Sequence, residues 1–409
     1  MKADGVLMPR KMVNEEETMT DTPRHFGPEI QGAVYLRGLS GAKPDIPTNF
    51  VGLEAQAQQK MSPEAWAYTA GGAGLERAMT ANRTTFDRYP IAPRMLGGAG
   101  VRNLATEMFG ARAAAPIFSC PIGVLEMMHP DGDLAVARAM ARLKLPMTIS
   151  SQASFPMEEI AKANGDGDRF YQLYWGKSDA LAESFVKRAE AIGCKAIFIT
   201  LDTTILGWRP RDLDIGYMPF LRSQGIAQYT SDPVFRAMLP QTPEENKQAA
   251  AFQFTQIFSD PSLDWARIAK IRSWTKLPVI LKGIMRADDA EKAVSEGYDG
   301  IYVSNHGGRQ VDGGIGALDA LARVTAAVKG RVPVLFDSGV RCGADIFKAL
   351  ALGANAVGIG RPYVYGLALG GDAGVQTVLE YLLAELDITM ALNGCAEVAA
   401  INRDILQIA

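Results

Sequence analysis

The chain has 409 residues, with 42 Lys plus Arg against 45 Asp plus Glu and a formal net charge of −3. The missing basic excess argues against nucleic acid as a partner, and 48% hydrophobic with 21% charged residues argues against disorder. The length suits two ordinary domains or one large α/β barrel with additions.

Residues 1–45 mix charges, Gly and Pro without a period, and read as a mobile N-terminal arm with a short docked piece near Val34–Leu39. Met1–Thr22 has no apolar core of a secretory signal, and no run of about 18 apolar residues occurs. The expectation is a cytoplasmic chain with no membrane partner. Ser62 as an N-cap, Pro63 at the first helical position and Glu64 in the first turn open a helix, part of an N-terminal helical extension that Gly71 and Gly72 interrupt. From Pro116 onward, eight short apolar runs alternate with amphipathic segments: 116–123, 146–151, 169–174, 196–202, 278–284, 300–305, 333–339 and 356–362. Near-continuous apolar strands separated by helices imply a parallel sheet covered on its outer face. Eight such units fit a (β/α)8 TIM barrel, with 46–409 as one domain. An open doubly wound sheet would need an early dinucleotide fingerprint, and none is present. Residues 203–262, after the fourth strand, are too long for an ordinary βα connection and read as a lid-like loop.

The four cysteines (Cys120, Cys194, Cys342, Cys395) are far apart and spaced neither as a disulfide framework nor as a metal site. In a barrel the active site lies at the C-terminal ends of the strands. Those ends carry Pro121, Ile122 and Gly123, then Ser150 and Ser151, Gln172 and Tyr174, Thr200 and Asp202, Lys282, Ser304 and His306, Asp337 and Gly339, and Gly360 and Arg361. Of the three histidines, His25 lies in the arm and His129 before a helix; His306 follows the sixth strand in SNHGGRQ. An imidazole there, beside Arg309, is suited to moving a proton near neutral pH. Gly339 with Arg341 and Gly360 with Arg361 follow the seventh and eighth strands, where barrels often bind phosphate. Lys282 ends an apolar strand and either faces an anion or electron-rich ring or serves as a Schiff-base amine. Arg209 and Arg309 could pair with a carboxylate, in the aromatic company of Tyr68, Tyr174 and Trp208.

YTAGGAG, QLY, ITLDT…GWRPRDL, SNHGGRQ, DSGVRCGADIFKALALGA and GIGRP resemble, in this order along the chain, the motifs of the FMN-dependent α-hydroxy-acid oxidising family, from about Ser62 to about Ala391. The resemblance implies FMN across the barrel mouth. Pro121, Ile122 and Gly123 would face the flavin N5 side, and Ser150, Gln172 and Thr200 would contact the ring. Lys282 would stabilise charge at N1 and O2, and Ser304 would also be among the cofactor-binding residues. Asp337, Gly339, Arg341, Gly360 and Arg361 would hold the ribityl phosphate. Tyr68, Arg209 and Arg309 would clamp the substrate carboxylate, Tyr174 would meet its hydroxyl, and His306 would be the base oriented by Asp202. Among family members the chain looks most like the lactate 2-monooxygenases, then the lactate oxidases. This implies an L-2-hydroxy acid, foremost L-lactate, oxidised with O2 to acetate, CO2 and water, or alternatively to pyruvate and H2O2. Gly123, where relatives often carry Ala, would leave space beside N5. The resemblance also implies a homotetramer or higher homo-oligomer. No metal is expected, and residues 203–262 carry no strong membrane-anchor pattern.

Overall fold

The computed structural model describes residues 25–407. Ahead of the barrel, β1 (Thr106–Met108) and β2 (Ala111–Ala113) form a small antiparallel hairpin. Eight parallel strands follow: β3 (Ile117–Ser119), β4 (Met147–Ser150), β5 (Arg169–Tyr174), β6 (Ile197–Thr200), β7 (Val279–Ile284), β8 (Gly300–Val303), β9 (Val334–Phe336) and β10 (Ala356–Ile359). Their order is β3-β10-β9-β8-β7-β6-β5-β4. The ring closes between the first and last of these. Ser119 N donates to Pro146 O (3.2 Å), and Thr148 N donates to Ser119 Oγ (3.0 Å). The eight predicted strands are therefore the eight of a TIM barrel, with helices on the outside.

Alternation along the strands decides what the interior contains. Phe118, Phe170, Phe198, Ile280, Tyr302, Leu335 and Ala356 point inward and pack on one another, with ring centroids of Phe170 and Phe198 5.0 Å apart and those of Phe118 and Tyr302 5.5 Å apart. Met108, Ala111 and Ala113 of the hairpin join this cluster and close its lower end. The intervening residues, such as Tyr171, Ile199, Ile301 and Val303, pack outward against the helices. Two residues further along the same inward faces come Gln172 after Phe170, Thr200 after Phe198, Lys282 after Ile280 and Ser304 after Tyr302. The period of two thus turns an aromatic floor into a polar rim.

The helix Pro63–Ala70 begins as its sequence predicts, with Ser62 Oγ accepting from Ala65 N (3.2 Å). At the N-terminus a helix spans Phe26–Gly38, and its docked end differs from the expected Val34–Leu39. Tyr35, Leu36 and Leu39 are exposed, whereas Phe26 is buried and Gly27 N donates to Asp387 Oδ2 (2.8 Å). A Cβ at Gly27 would lie 2.6 Å from Ile388 Cγ1, so the close approach is possible there and not further along. The remainder of the expected arm, residues 1–24, lies outside the described residues.

Residues 203–262 hold a series of short helices and one longer one, Lys247–Phe258. Five of their aromatics face inward, with Phe220, Tyr229, Phe235, Phe254 and Phe258 buried, whereas Trp208 and Phe252 are exposed. The final helix, Arg361–Leu392, starts directly after β10 and breaks at Gly370 and Gly371.

Candidate functional site

A cavity of about 980 Å3, mouth included, opens at the C-terminal end of the barrel. Tyr68, Pro121, Ile122, Gly123, Ser150, Tyr174, Arg209, Lys282, His306, Arg309, Asp337, Gly339, Gly360 and Arg361 all line it. They come from seven of the eight strand ends, from the helix Pro63–Ala70 and from the 203–262 segment.

Asp202, Gln172, Thr200 and Ser304 lie just beneath and hold the lining in place. Gln172 Nε2 donates to Thr200 Oγ1 (2.9 Å), and Gln172 Oε1 accepts from Ser150 Oγ (3.3 Å) and Ser151 N (3.1 Å). Ser304 Oγ accepts from Lys282 Nζ (3.1 Å) and from His306 N (3.1 Å).

His306 stands in the left-handed region at φ +57. Nδ1 is 2.8 Å from Asp202 Oδ1 and 3.1 Å from Thr203 Oγ1; Thr203 itself donates to Asp202 Oδ1 (2.8 Å). A carboxylate acceptor places the ring proton on Nδ1 and leaves the Nε2 lone pair free. Nε2 is 3.4 Å from Tyr174 OH. Burial lowers the His306 pKa below its ordinary 6.5; Asp202 opposes this, while Lys282 and Arg209 add to it. The ring is therefore neutral at neutral pH. Burial works against the charge on Asp202, but His306 and Lys282 hold its carboxyl down at about 2. Burial pushes the Tyr174 phenol well above its usual range, so it stays protonated and can donate.

Lys282 is 3% exposed, and burial opposes its charge. Asp202, Asp337 and Cys120 outweigh that and raise its pKa, with Asp337 Oδ2 4.0 Å away. The group is an ammonium, which disfavours the Schiff-base alternative.

Four guanidinium groups spend their hydrogen bonds on neutral partners. Arg361 donates to Thr69 O (2.9 Å), Gly71 O (2.9 Å) and Gly307 O (3.1 Å), and Arg309 donates to Gly71 O (2.8 Å). Arg209 donates to Arg309 O (3.2 Å) and Gln310 Oε1 (2.7 Å), and Arg341 donates to Val340 O (2.9 Å). Burial, followed by Arg209, brings the Arg309 pKa down to about 10; burial does the same for Arg361, with Arg309 adding to it. Asp212 lies near enough to act on Arg309 and Arg209, and Glu54 and Glu76 on Arg361, but none of the four guanidinium groups forms a direct ion pair among the described residues, which suits Arg209, Arg309 and Arg361 to an anion.

Two expected members sit elsewhere. Arg341 lies over the Phe50 ring (4.3 Å) and faces a neighbouring cleft, because the turn after β9 sends its side chain outward past Val340. Trp208 is 73% exposed and does not line the cavity. Gly123 also reads differently in three dimensions: a Cβ there would lie 2.4 Å from Gln152 Cβ, so the room beside it is already taken.

Sequence reasoning passed over Cys120, Gln152, Thr203, Phe220, Phe258 and Ser338, which line the same cavity, and Gln310, which ties Arg209 to the backbone of Asp202 and Ile205. Thr203 follows Asp202 directly and was within reach of a local reading; the others carry no signal in sequence. All four cysteines are free, and no cluster suited to a metal ion occurs among the described residues.

This donor set fits FMN on structural grounds. A buried ammonium with spare donors suits an electron-rich ring edge. Gly339, at φ +94, and Gly360 with Arg361 line the cavity at the ends of β9 and β10, where backbone N–H groups and a guanidinium suit a phosphate.

The comparisons agree. The profile of a protein family described as FMN-dependent dehydrogenase matches residues 57–408. An FMN-dependent alpha-hydroxy acid dehydrogenase of Schizosaccharomyces pombe is 43% identical, over 92% of this chain and 95% of its own length. An L-lactate oxidase of Lysinibacillus sphaericus is 38% identical, over 91% and 95%. A mandelate oxidase crystal structure with (S)-4-hydroxymandelic acid superposes with a TM-score of 0.79 at 37% identity, covering 88% of this chain and 98% of that one. No helix among the described residues is long and apolar enough to cross a membrane. The chain belongs to the FMN-dependent dehydrogenase family and is an oxidoreductase whose cofactor is FMN.

Proposed function

We propose that the protein oxidises an L-2-hydroxy acid, with L-lactate as the reference substrate and O2 as the electron acceptor. One observation carries the reading: a neutral imidazole held by Asp202 at 2.8 Å turns its free nitrogen towards Tyr174, in a cavity that also holds the unpaired guanidinium groups of Arg209 and Arg309. That arrangement provides a base for a hydroxyl-bearing carbon and a clamp for a carboxylate.

The substrate carboxylate would be taken by Arg309 and Arg209, with Tyr68 beside them under the Arg309 guanidinium (5.1 Å). Tyr174 donates to the substrate oxygen. His306 Nε2 accepts the proton released as the hydroxy acid loses two electrons, and Asp202 stabilises the imidazolium so formed. Bound FMN supplies the two-electron acceptor that passes its electrons to O2. Lys282, held charged, would stabilise negative charge on the cofactor ring. Pro121, Ile122, Gly123, Ser150, Gln172, Thr200 and Ser304 would seat the ring, and Asp337, Gly339, Gly360 and Arg361 the phosphate. Arg341 supports them from the adjacent cleft.

L-lactate would yield pyruvate and H2O2. If pyruvate stays in the cavity, peroxide decarboxylates it to acetate, CO2 and water, the monooxygenase outcome. Leu206, Phe220 and Phe258 line the cavity from the 203–262 segment and favour retention. Product analysis in air tests this: acetate and CO2 with little free peroxide support retention, and stoichiometric pyruvate and H2O2 support early release. A homo-oligomer is part of the same reading, supported by exposed Trp208 and Val311, each 73% accessible, and light scattering of the purified protein tests it.

A further inference from the structure

Gln152 follows directly on the end of β4, lines the cavity and is 3% exposed. Its backbone is pinned: its N–H donates to Ser150 Oγ (3.0 Å), and its carbonyl accepts from Val124 N (2.9 Å). Its side chain has one partner, with Nε2 donating to Tyr229 OH (3.2 Å). Oε1 is buried and has no partner among the described residues. Reversing the amide does not cure this. The Tyr229 hydroxyl would then donate to the oxygen, and the NH2 group would be left without an acceptor. Either way, one end of a buried amide is unsatisfied, a condition that protein interiors avoid.

The surroundings offer nothing else. Tyr229 sits among Phe254 (4.8 Å), Phe185 (5.0 Å) and Phe235 (5.7 Å). Phe254 packs at a tilt against Phe220 (5.2 Å) and Phe258 (5.1 Å), and Phe258 meets Tyr174 (5.3 Å). A continuous aromatic wall therefore connects the hydroxyl-binding tyrosine to the Gln152–Tyr229 pair. Gln152 is the sole amide side chain lining the cavity.

We propose that Gln152, seated on Tyr229, recognises a hydroxyl on the substrate's side chain, so that the preferred 2-hydroxy acid carries a further hydroxyl beyond C2. A hydroxyl both donates and accepts, and so completes the amide in either orientation. An alkyl chain in the same place would leave the amide desolvated and unpaired. Sites built to bond a substrate hydroxyl reject analogues lacking it more strongly than apolar pockets discriminate by size. The inference rests on the 2-hydroxy-acid reading and extends it beyond L-lactate.

L-glycerate and L-2-hydroxybutyrate test it, because their side chains, CH2OH and CH2CH3, are nearly equal in size. Anaerobic flavin reduction of the holoenzyme is expected to favour L-glycerate by about 10-fold or more in its second-order rate constant. Gln152→Leu is expected to bring that ratio to one or below, and Tyr229→Phe to lower it. Equal rates in the wild type overturn the inference, and so does a glycerate preference that survives Gln152→Leu. A Gln152→Leu protein that keeps the ratio but sheds FMN or shifts the flavin absorption assigns the amide to the cofactor, which also overturns it. If the variants fail to fold, the wild-type ratio decides. Bleaching by all three acids, L-lactate included, without discrimination overturns this inference alone; bleaching by none overturns the 2-hydroxy-acid reading as well.

Discussion

His306 and Asp202 are 104 positions apart in the chain and 2.8 Å apart in space. The carboxylate does two things for the imidazole: it fixes the proton on Nδ1, and it raises the affinity of the ring for a second proton. Burial does the opposite and wins, so the His306 pKa lies below 6.5. The sign follows. The base form predominates at neutral pH, and kcat/KM is expected to hold there and fall as pH drops through the depressed pKa. Asp202→Asn removes the opposing charge, so the acid limb is expected to move to still lower pH while the rate of flavin reduction drops by roughly 10^2–10^4-fold. A pH–rate series on both proteins checks this, and an acid limb moving upward in the variant would contradict it. His306 was legible in sequence because it is the one histidine at a strand end. Gln152 was not, because its partner Tyr229 is 77 residues away and glutamine carries no pattern. Trp208 was over-read: aromatic composition places a residue near a site without saying which way its ring turns.

The strands were the most legible elements, since each is a short apolar run followed by polar residues at the same period of two. The hairpin β1–β2 was missed. Its strands are three residues each, and its turn uses Phe109 at φ +50, a conformation that sequence does not announce for phenylalanine. Residues 203–262 were legible as an insertion but not as a series of helices, because their order comes from Phe220, Tyr229, Phe235 and Phe254 packing together. The aromatic floor of the barrel is expected to set both stability and site geometry. Phe198→Ala empties a buried position two residues below Thr200 and is expected to cost about 3–5 kcal/mol in denaturant unfolding. A loss under 1 kcal/mol would mean that the floor does not carry the load assigned to it.

Across the whole molecule, one inward-facing pattern does both structural and chemical service. Aromatic rings fill the lower barrel, and the next residues on the same faces form the rim. The helix Pro63–Ala70 and the 203–262 segment then add Tyr68, Arg209, Phe220 and Phe258 to that rim from outside the barrel. Fold and cofactor were legible because strand rhythm and strand-end chemistry both lie along the chain. The substrate was not, because side-chain selectivity depends on the wall built by the insertion. The central claim is that this cavity oxidises 2-hydroxy acids with His306 as the base, and rapid anaerobic mixing of the holoenzyme with L-lactate tests it most directly. The wild-type flavin is expected to bleach, and the same flavin bound to His306→Ala to bleach roughly 10^2–10^4-fold more slowly. Equal rates in the two proteins, or no bleaching of the wild type by L-lactate or any other 2-hydroxy acid, would contradict it.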